Sequence, residues 1–239
     1  MGEHGEHRTL VRPLWMAVLA IGVALPAPAL ACRLALLLML DVSSSVDAAE
    51  DRLQRNGLAA ALINPDVQSA FLAGGPERPV ALAAFEWSGR WRQTTILDWR
   101  EIRGPGDLVT AAEEVAASIR SETRFPTALG YALGHAASVL AEGPVCDRQV
   151  IDVSGDGENN EGFPPALAYR NFPLSGVTVN ALAIGGSIPL DDMVAYYRRE
   201  VIRGPGAFVE QAQGYEDFER AIRKKLEREV AALVVGAAE

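Results

Sequence analysis

Oxygen-bearing side chains stand at three separated places in this chain, each beside a turn. Asp41-Val42-Ser43-Ser44-Ser45 presents a carboxylate and two hydroxyls at alternate positions. Thr127 contributes a hydroxyl from Phe125-Pro126-Thr127-Ala128-Leu129-Gly130, and Asp156 a second carboxylate from Asp152-Val153-Ser154-Gly155-Asp156-Gly157. Donor sets made only of oxygen suit hard cations, Mg²⁺ and equally Mn²⁺ or Ca²⁺, rather than zinc or copper. Taken by itself, the Asp-x-Ser-x-Ser run is also a plausible helix cap, because Ser and Asp both cap helices. Glu158-Asn159-Asn160-Glu161-Gly162 would either line the rim of a site at Asp156 or lie in water as an acidic loop. Asp152 has the same strand parity as Asp156 but sits ~13 Å down the strand, too far to share one cation. It is expected to pair with a neighbouring donor inside the strand.

These residues need elements to hold them. Residues 33–40 form an apolar run without alternation, the pattern of a strand buried on both faces of a parallel sheet. Asp47 with Glu50 reads as a capping box that opens a helix over 47–65. Strands are expected at 79–87, 91–99, 148–154 and 177–184, with a short edge strand at 207–211. Helical spacing covers 107–119, 127–140, 190–201 and 215–230, and the alternation implies a further helix between the fourth and fifth strands. The resulting order, β-α-β-β-α-α-β-α-β-α-β-α, is that of an α/β fold: a Rossmann-like open, mostly parallel central sheet with helices on both faces. Ligands in such sheets sit at the carboxyl ends of the strands, where Asp41 and Asp156 fall.

At this point the chain resembles the von Willebrand factor type A domain, the fold also used by integrin inserted domains. The resemblance spans roughly 34–228 and looks closest to the secreted bacterial members of that superfamily. The family's metal-ion-dependent adhesion site takes Asp-x-Ser-x-Ser after the first strand, Thr from a middle loop and Asp from an Asp-Gly after the fourth strand. The resemblance therefore implies Asp41, Ser43, Ser45, Thr127 and Asp156 as metal ligands. It also implies that water fills the remaining positions and that a Glu or Asp of a protein partner replaces one water. Two places depart from the family pattern: Arg124-Phe125-Pro126 leads into the threonine, and Ser154-Gly155 precede the Asp-Gly. In the family's sheet the first and fourth strands are parallel neighbours. The resemblance thus places Cys32 and Cys146 at the same end of adjacent strands, close enough for a disulfide.

The composition narrows the function classes. The 239 residues are 49% hydrophobic and 22% charged, the balance of a packed domain, and the net charge is −9. Nucleic-acid and polybasic membrane-surface binding are disfavoured, since both need a basic face. Two cysteines and three histidines leave no zinc scaffold. Residues 1–31 run from Arg8 and Arg12 through an apolar core at 14–25 to small residues before Cys32, the pattern of a signal peptide. The apolar core is shorter than the ~20 residues that span a bilayer, and an uncleaved anchor is the alternative. Cleavage would leave 32–239 as a single exported domain, periplasmic or secreted. A lipoprotein with Cys32 modified is a competing reading, and it would use the sulfur that the disulfide needs.

A histidine-based hydrolase has little to work with. Only His135 lies beyond the leader, and it falls in mid-helix at 127–140. There is no G-x-S-x-G elbow and no phosphate-binding glycine loop. A protein-binding module is therefore the first reading, and a metal-assisted hydrolase the second. Trp87 and Trp91, on either side of Ser88-Gly89-Arg90, read as exposed aromatics that either pack on the sheet edge or form a contact patch.

Overall fold

A computed structural model of the chain describes residues 1–2 and 32–231. Of the expected signal peptide at 1–31, residues 3–31 lie outside the described residues. Strand β1 (Leu34–Asp41) is buried along its whole length. Its alternate residues feed two cores. Leu34, Leu36, Leu38 and Leu40 face one, and Ala35, Leu37 and Met39 the other. An unbroken apolar run is what such a strand requires, because neither face meets water.

Around β1 the described residues build a six-stranded sheet in the order β3-β2-β1-β4-β5-β6. The strands are β2 (Val80–Trp87), β3 (Gln93–Ile102), β4 (Gln149–Gly155), β5 (Thr178–Ile184) and β6 (Val209–Ala212). Every neighbouring pair is parallel except β2 with β3, which the short turn at 88–92 joins as an antiparallel hairpin. Helices α1 (Ala48–Leu62), α2 (Pro65–Leu72), α3 (Pro105–Ala117) and α7 (Phe218–Ala231) cover the even-numbered face of β1. Helices α4 (Leu129–Glu142), α5 (Pro165–Asn171) and α6 (Leu190–Tyr196) cover the other, with a π turn at Tyr197–Val201. The α/β class and the helix-covered, mostly parallel sheet are as expected from the sequence.

The local signals explain most boundaries. Asp47 accepts from the Ala49 and Glu50 amides while Glu50 accepts from the Asp47 amide, closing the capping box of α1. That helix ends at Leu62, and Asn64 caps a separate helix α2 with Pro65 at its first position. The expected single helix over 47–65 thus gives way to two, because Asn64-Pro65 restarts the chain. The helix between β4 and β5 is α5. Thr127 precedes α4 instead of opening it. The expected helix over 190–201 widens at Tyr197 into the π turn, and α7 follows a single 3₁₀ turn at Tyr215–Asp217.

Cys32 and Cys146 form a disulfide, with Cα atoms 4.6 Å apart and a parallel bridge between their backbones. It closes the amino ends of β1 and β4, opposite the carboxyl rim. Two expectations need correction. Trp87 is not exposed: it is the buried last residue of β2 and joins the α4-side core, whereas Trp91 is 79% exposed at the hairpin tip. Asp152 finds its partner outside its strand, as its Oδ2 lies 2.6 Å from Lys225 Nζ of α7. Lys225 and Glu229 are themselves buried, so α7 carries charge on its docking face as well as on its solvent face.

Candidate metal centre

The order of the sheet reverses at β1. The chain runs outward from β1 to β2 and β3, then crosses back to β4 on the other side. The crevice above the carboxyl ends of β1 and β4 is the point where loops diverge and side chains from both can meet. Leu40 pairs with Ser154, so Asp41 and Asp156 emerge there from adjacent strands.

All five expected ligand residues come together at that crevice. Asp41 Oδ1 accepts from the Ser43 amide at 2.7 Å, which curls the loop back over β1. Thr127 Oγ1 lies 3.2 Å from Ser43 Oγ, Ser43 Oγ lies 3.1 Å from Ser45 Oγ, and Ser45 Oγ donates to Asp156 Oδ1 at 2.7 Å. Three hydroxyls therefore link the two sides of the crevice and end on a carboxylate. Asp41, Ser43, Thr127 and Asp156 are buried, while Ser44 and Ser45 are exposed. Ser45, Thr127 and Asp156 line a cavity of about 280 Å³ together with Glu158, Ser187 and Ile188.

Surrounding residues fix these loops. The Ser44 amide donates to the Phe125 carbonyl and the Ala128 amide to the Ser88 carbonyl, tying the Asp41 and Thr127 loops to the β2–β3 hairpin. Asn160 Oδ1 accepts from the Thr127 amide at 2.8 Å, and Asn159 Oδ1 from the Gly130 amide at 3.1 Å. These two asparagines of the 158–162 segment thus hold the threonine loop and the first turn of α4. Arg120, which sequence reasoning missed, donates to the carbonyls of Val46, Val42 and Ser43 at 2.7, 2.8 and 2.9 Å. No motif marks it, because an arginine that serves carbonyls of a distant loop leaves no local pattern. Glycine matters at two positions. A Cβ on Gly155 would stand 2.6 Å from the Tyr197 hydroxyl and 2.9 Å from Asp41 Oδ2, and one on Gly157 would stand 3.1 Å from Thr127 Oγ1.

The electrostatics are those of an under-compensated anionic site. Burial, and then the neighbouring Asp156 charge, push the Asp41 carboxyl up to about 7. Burial likewise raises Asp156. Arg120 opposes both shifts only as a nearby charge. Asp41 Oδ2 is buried without a hydrogen-bond partner, as is the Tyr197 hydroxyl beside it. Such an oxygen is costly unless something positive or protic meets it. Among the described residues no group of three or more His, Cys, Asp and Glu side chains is placed to hold a metal. This cluster offers two carboxylates and three hydroxyls instead, and that all-oxygen set fits a hard divalent cation. His135 lies elsewhere: its ring packs edge-on against Phe85 at 4.9 Å, and burial lowers its pKa.

Solved structures share the fold. Proximal thread matrix protein 1 from the mussel byssus, in a form with a zinc-occupied MIDAS motif, superposes with a TM-score of 0.60 at 16% identity, over 85% of this chain and 48% of that one. A von Willebrand factor type A protein from Catenulispora acidiphila gives 0.57 at 13% identity, over 85% and 43%. BatB from Bacteroides thetaiotaomicron gives 0.54 at 16% identity, over 84% of this chain and 99% of its own. The chain thus spans about half the length of the first two, and the likeness to all three is one of fold. No curated protein matches the chain by sequence. A family model described as "Protein of unknown function (DUF1194)" matches residues 31–234, so a chain with the von Willebrand factor type A fold and an oxygen-lined crevice at its switch point belongs to that family.

Proposed function

We propose that this chain is an exported, divalent-cation-dependent protein-binding module. Asp41, Ser43, Ser45, Thr127 and Asp156 hold the ion, Mg²⁺ before Mn²⁺ or Ca²⁺. The single observation that carries the reading is the convergence of two buried carboxylates and three hydroxyls with no cationic side chain in contact with either carboxylate among the described residues. Held by these residues, a divalent cation would supply the positive charge that the two carboxylates lack and would attract an incoming carboxylate. Ser and Thr hydroxyls are neutral donors, so the ion keeps much of its charge and attracts a Glu or Asp of the partner. The zinc-occupied MIDAS motif of the mussel protein supports a metal at this place in the fold.

Export is supported by two features. One is the basic-apolar-small order of residues 1–31, and the other is the Cys32–Cys146 disulfide, a bond that persists in oxidising compartments. The same bond occupies the Cys32 sulfur and so argues against its lipidation. Among the described residues no helix is long and apolar enough to cross a membrane.

Titration calorimetry of Mg²⁺ and Mn²⁺ into the parent and into Asp41→Ala tests the metal reading. The parent should bind one ion and the variant should not; equal affinity in the two removes the proposal. A pull-down from the exported fraction with and without chelator then tests whether partner capture depends on the ion.

A further inference from the structure

Of the 22 lysines and arginines in this chain only Lys224 and Lys225 are lysine. The other two buried cations among the described residues are arginines: Arg55 pairs with Asp51 and Glu86, and Arg33 donates to carbonyls at the ends of α2 and α7. Arginine suits a buried ion pair better, because its guanidinium is weakly hydrated and presents paired donors. Lysine offers what arginine lacks, an amine that can lose its proton and attack a carbonyl carbon. Lys225 is fully buried and stands between two carboxylates, Asp152 of β4 and Glu229 one helical turn along α7.

The two contacts differ in kind. Lys225 Nζ donates to Glu229 Oε1 at 2.6 Å in hydrogen-bond geometry. It lies equally close to Asp152 Oδ2, at 2.6 Å, yet both Asp152 oxygens are buried without a hydrogen-bond partner among the described residues. The nitrogen therefore meets the Asp152 carboxyl off the direction a hydrogen bond takes, and within reach of its carbon.

Glu229 is equipped to move protons between them. Burial, and then the Asp152 charge, hold its carboxyl well above the usual range, so it is the acid of the cluster that keeps its proton. Asn180 Nδ2 donates to its Oε1 at 2.8 Å, and Asn180 Oδ1 accepts from the Phe208 amide at 3.2 Å, which fixes the carboxyl in place. Glu229 Oε2 is buried without a partner among the described residues. The Phe208 ring stands 5.6 Å from Lys225 Nζ, with the Arg228 guanidinium over it at 3.7 Å. A site closed to water in this way favours reactions that expel a water molecule.

We propose that Lys225 and Asp152 condense to an intramolecular amide, a covalent bond between α7 and β4 that the folded chain makes for itself. The ion pair is the state from which the bond forms. Lys225 passes one proton to Asp152, leaving a neutral amine and a neutral acid. The nitrogen lone pair attacks Asp152 Cγ, and the carbonyl electron pair moves onto oxygen. Glu229 gives its proton to the departing hydroxyl and takes one from the nitrogen, so that water leaves and Glu229 ends as it began. One N–C bond forms and one C–O bond breaks, with no oxidant or reductant. Glu229 is the catalytic residue of this step, and Asn180 positions it. Together with the Cys32–Cys146 disulfide, the bond ties β4 to β1 ahead of its first residue and to α7 at its middle. The proposal is independent of the metal reading.

Tryptic mapping of the purified full chain, reduced and denatured, tests the bond by mass spectrometry. The expected product is residues 149–170 joined to residues 225–228, lighter by one water than the two peptides together, because trypsin cuts after Arg148, Arg170, Lys224 and Arg228 but not after an acylated Lys225. Lys225→Arg keeps the positive charge and should yield no linked product. Glu229→Gln keeps the shape without the acid and should slow linkage about a hundredfold. Peptide 149–170 recovered from the parent only at the mass of its own sequence overturns the proposal. A link from Lys225 to 229–239 or to 171–198 also overturns it, since the bond would then lie on Glu229 or on Asn180. Linkage in Glu229→Gln at the parent's rate overturns the proton-transfer step.

Discussion

Strand β4 and the residue just past its end hold two buried aspartates that the protein treats in opposite ways. Asp152, in mid-strand, meets Lys225 Nζ at 2.6 Å, and the same ammonium meets Glu229 Oε1 at 2.6 Å. Asn180 donates to that Glu229 oxygen at 2.8 Å and orders the Phe208 amide with its own carbonyl. Burial and the Asp152 charge raise the Glu229 carboxyl well above its usual range, so the cluster approaches neutrality within the chain. Asp156, one residue past the strand's end, shares its crevice with Asp41 but receives the Ser45 hydroxyl instead of a cation. The nearest guanidinium, Arg120, spends its contacts on loop carbonyls. Two carboxylates with a resident lysine make a structural joint between α7 and the sheet. Two carboxylates without one make a place for an ion from solution.

The comparison can be broken from either side. Lys225→Met should cost the most, about 3–5 kcal/mol, because it strands two carboxylates in the core. Urea denaturation would measure this, and adding Asp152→Asn and Glu229→Gln should restore much of the loss. Next in size is the pH response of the metal-free protein. A carboxyl raised from 3.8 to about 7 by folding binds more protons in the folded state. Its contribution to stability is therefore greatest below pH 4 and is lost as pH rises toward 7, on the order of 4 kcal/mol. Glu229 adds a slope of the same sign, so the difference between parent and Asp41→Asn melts isolates the Asp41 part. That variant should be more stable than the parent without metal at pH 7, the reverse of Lys225→Met.

Magnesium should close the gap. At about one hundred times the dissociation constant, the parent should gain about 2.7 kcal/mol, and Asp41→Asn should gain nothing. Differential scanning calorimetry with and without Mg²⁺ reads this directly, and equal gains would erase the distinction between the two clusters. The smallest effect belongs to the clamp. Arg120→Met should weaken Mg²⁺ binding about fivefold, equivalent to about 1 kcal/mol, with Arg120→Lys partly restoring it in calorimetric titration.

Much of this molecule is legible along the chain, and the exceptions have physical causes. The apolar run Leu34–Leu40 fits a strand with two covered faces, since its alternate side chains feed both cores. The capping box at Asp47 and Glu50 is equally local. The restart at Asn64-Pro65 is local too, yet it hides inside a continuous helical pattern and merges two helices into one. Trp87 reads as a surface residue because it flanks a turn; its burial depends on α4, more than forty residues away. Lys225 and Glu229 sit on a helix rich in charge, and nothing within that helix says that Asp152 lies beneath them. Arg120 shows no pattern at all, for its partners are carbonyls.

What the sequence determined by itself was the set of parts: the strand–helix alternation, the oxygen-bearing residues at strand ends, and two cysteines at matching distances from two aspartates. Those follow from short-range rules of burial, capping and chirality. Only the tertiary structure decided which carboxylate has a lysine and which has none. It also decided that Arg120 would pin the loop. Compensation of charge in a low-dielectric interior depends on distances of a few ångströms between residues tens of positions apart, and those distances exist only once the sheet has closed.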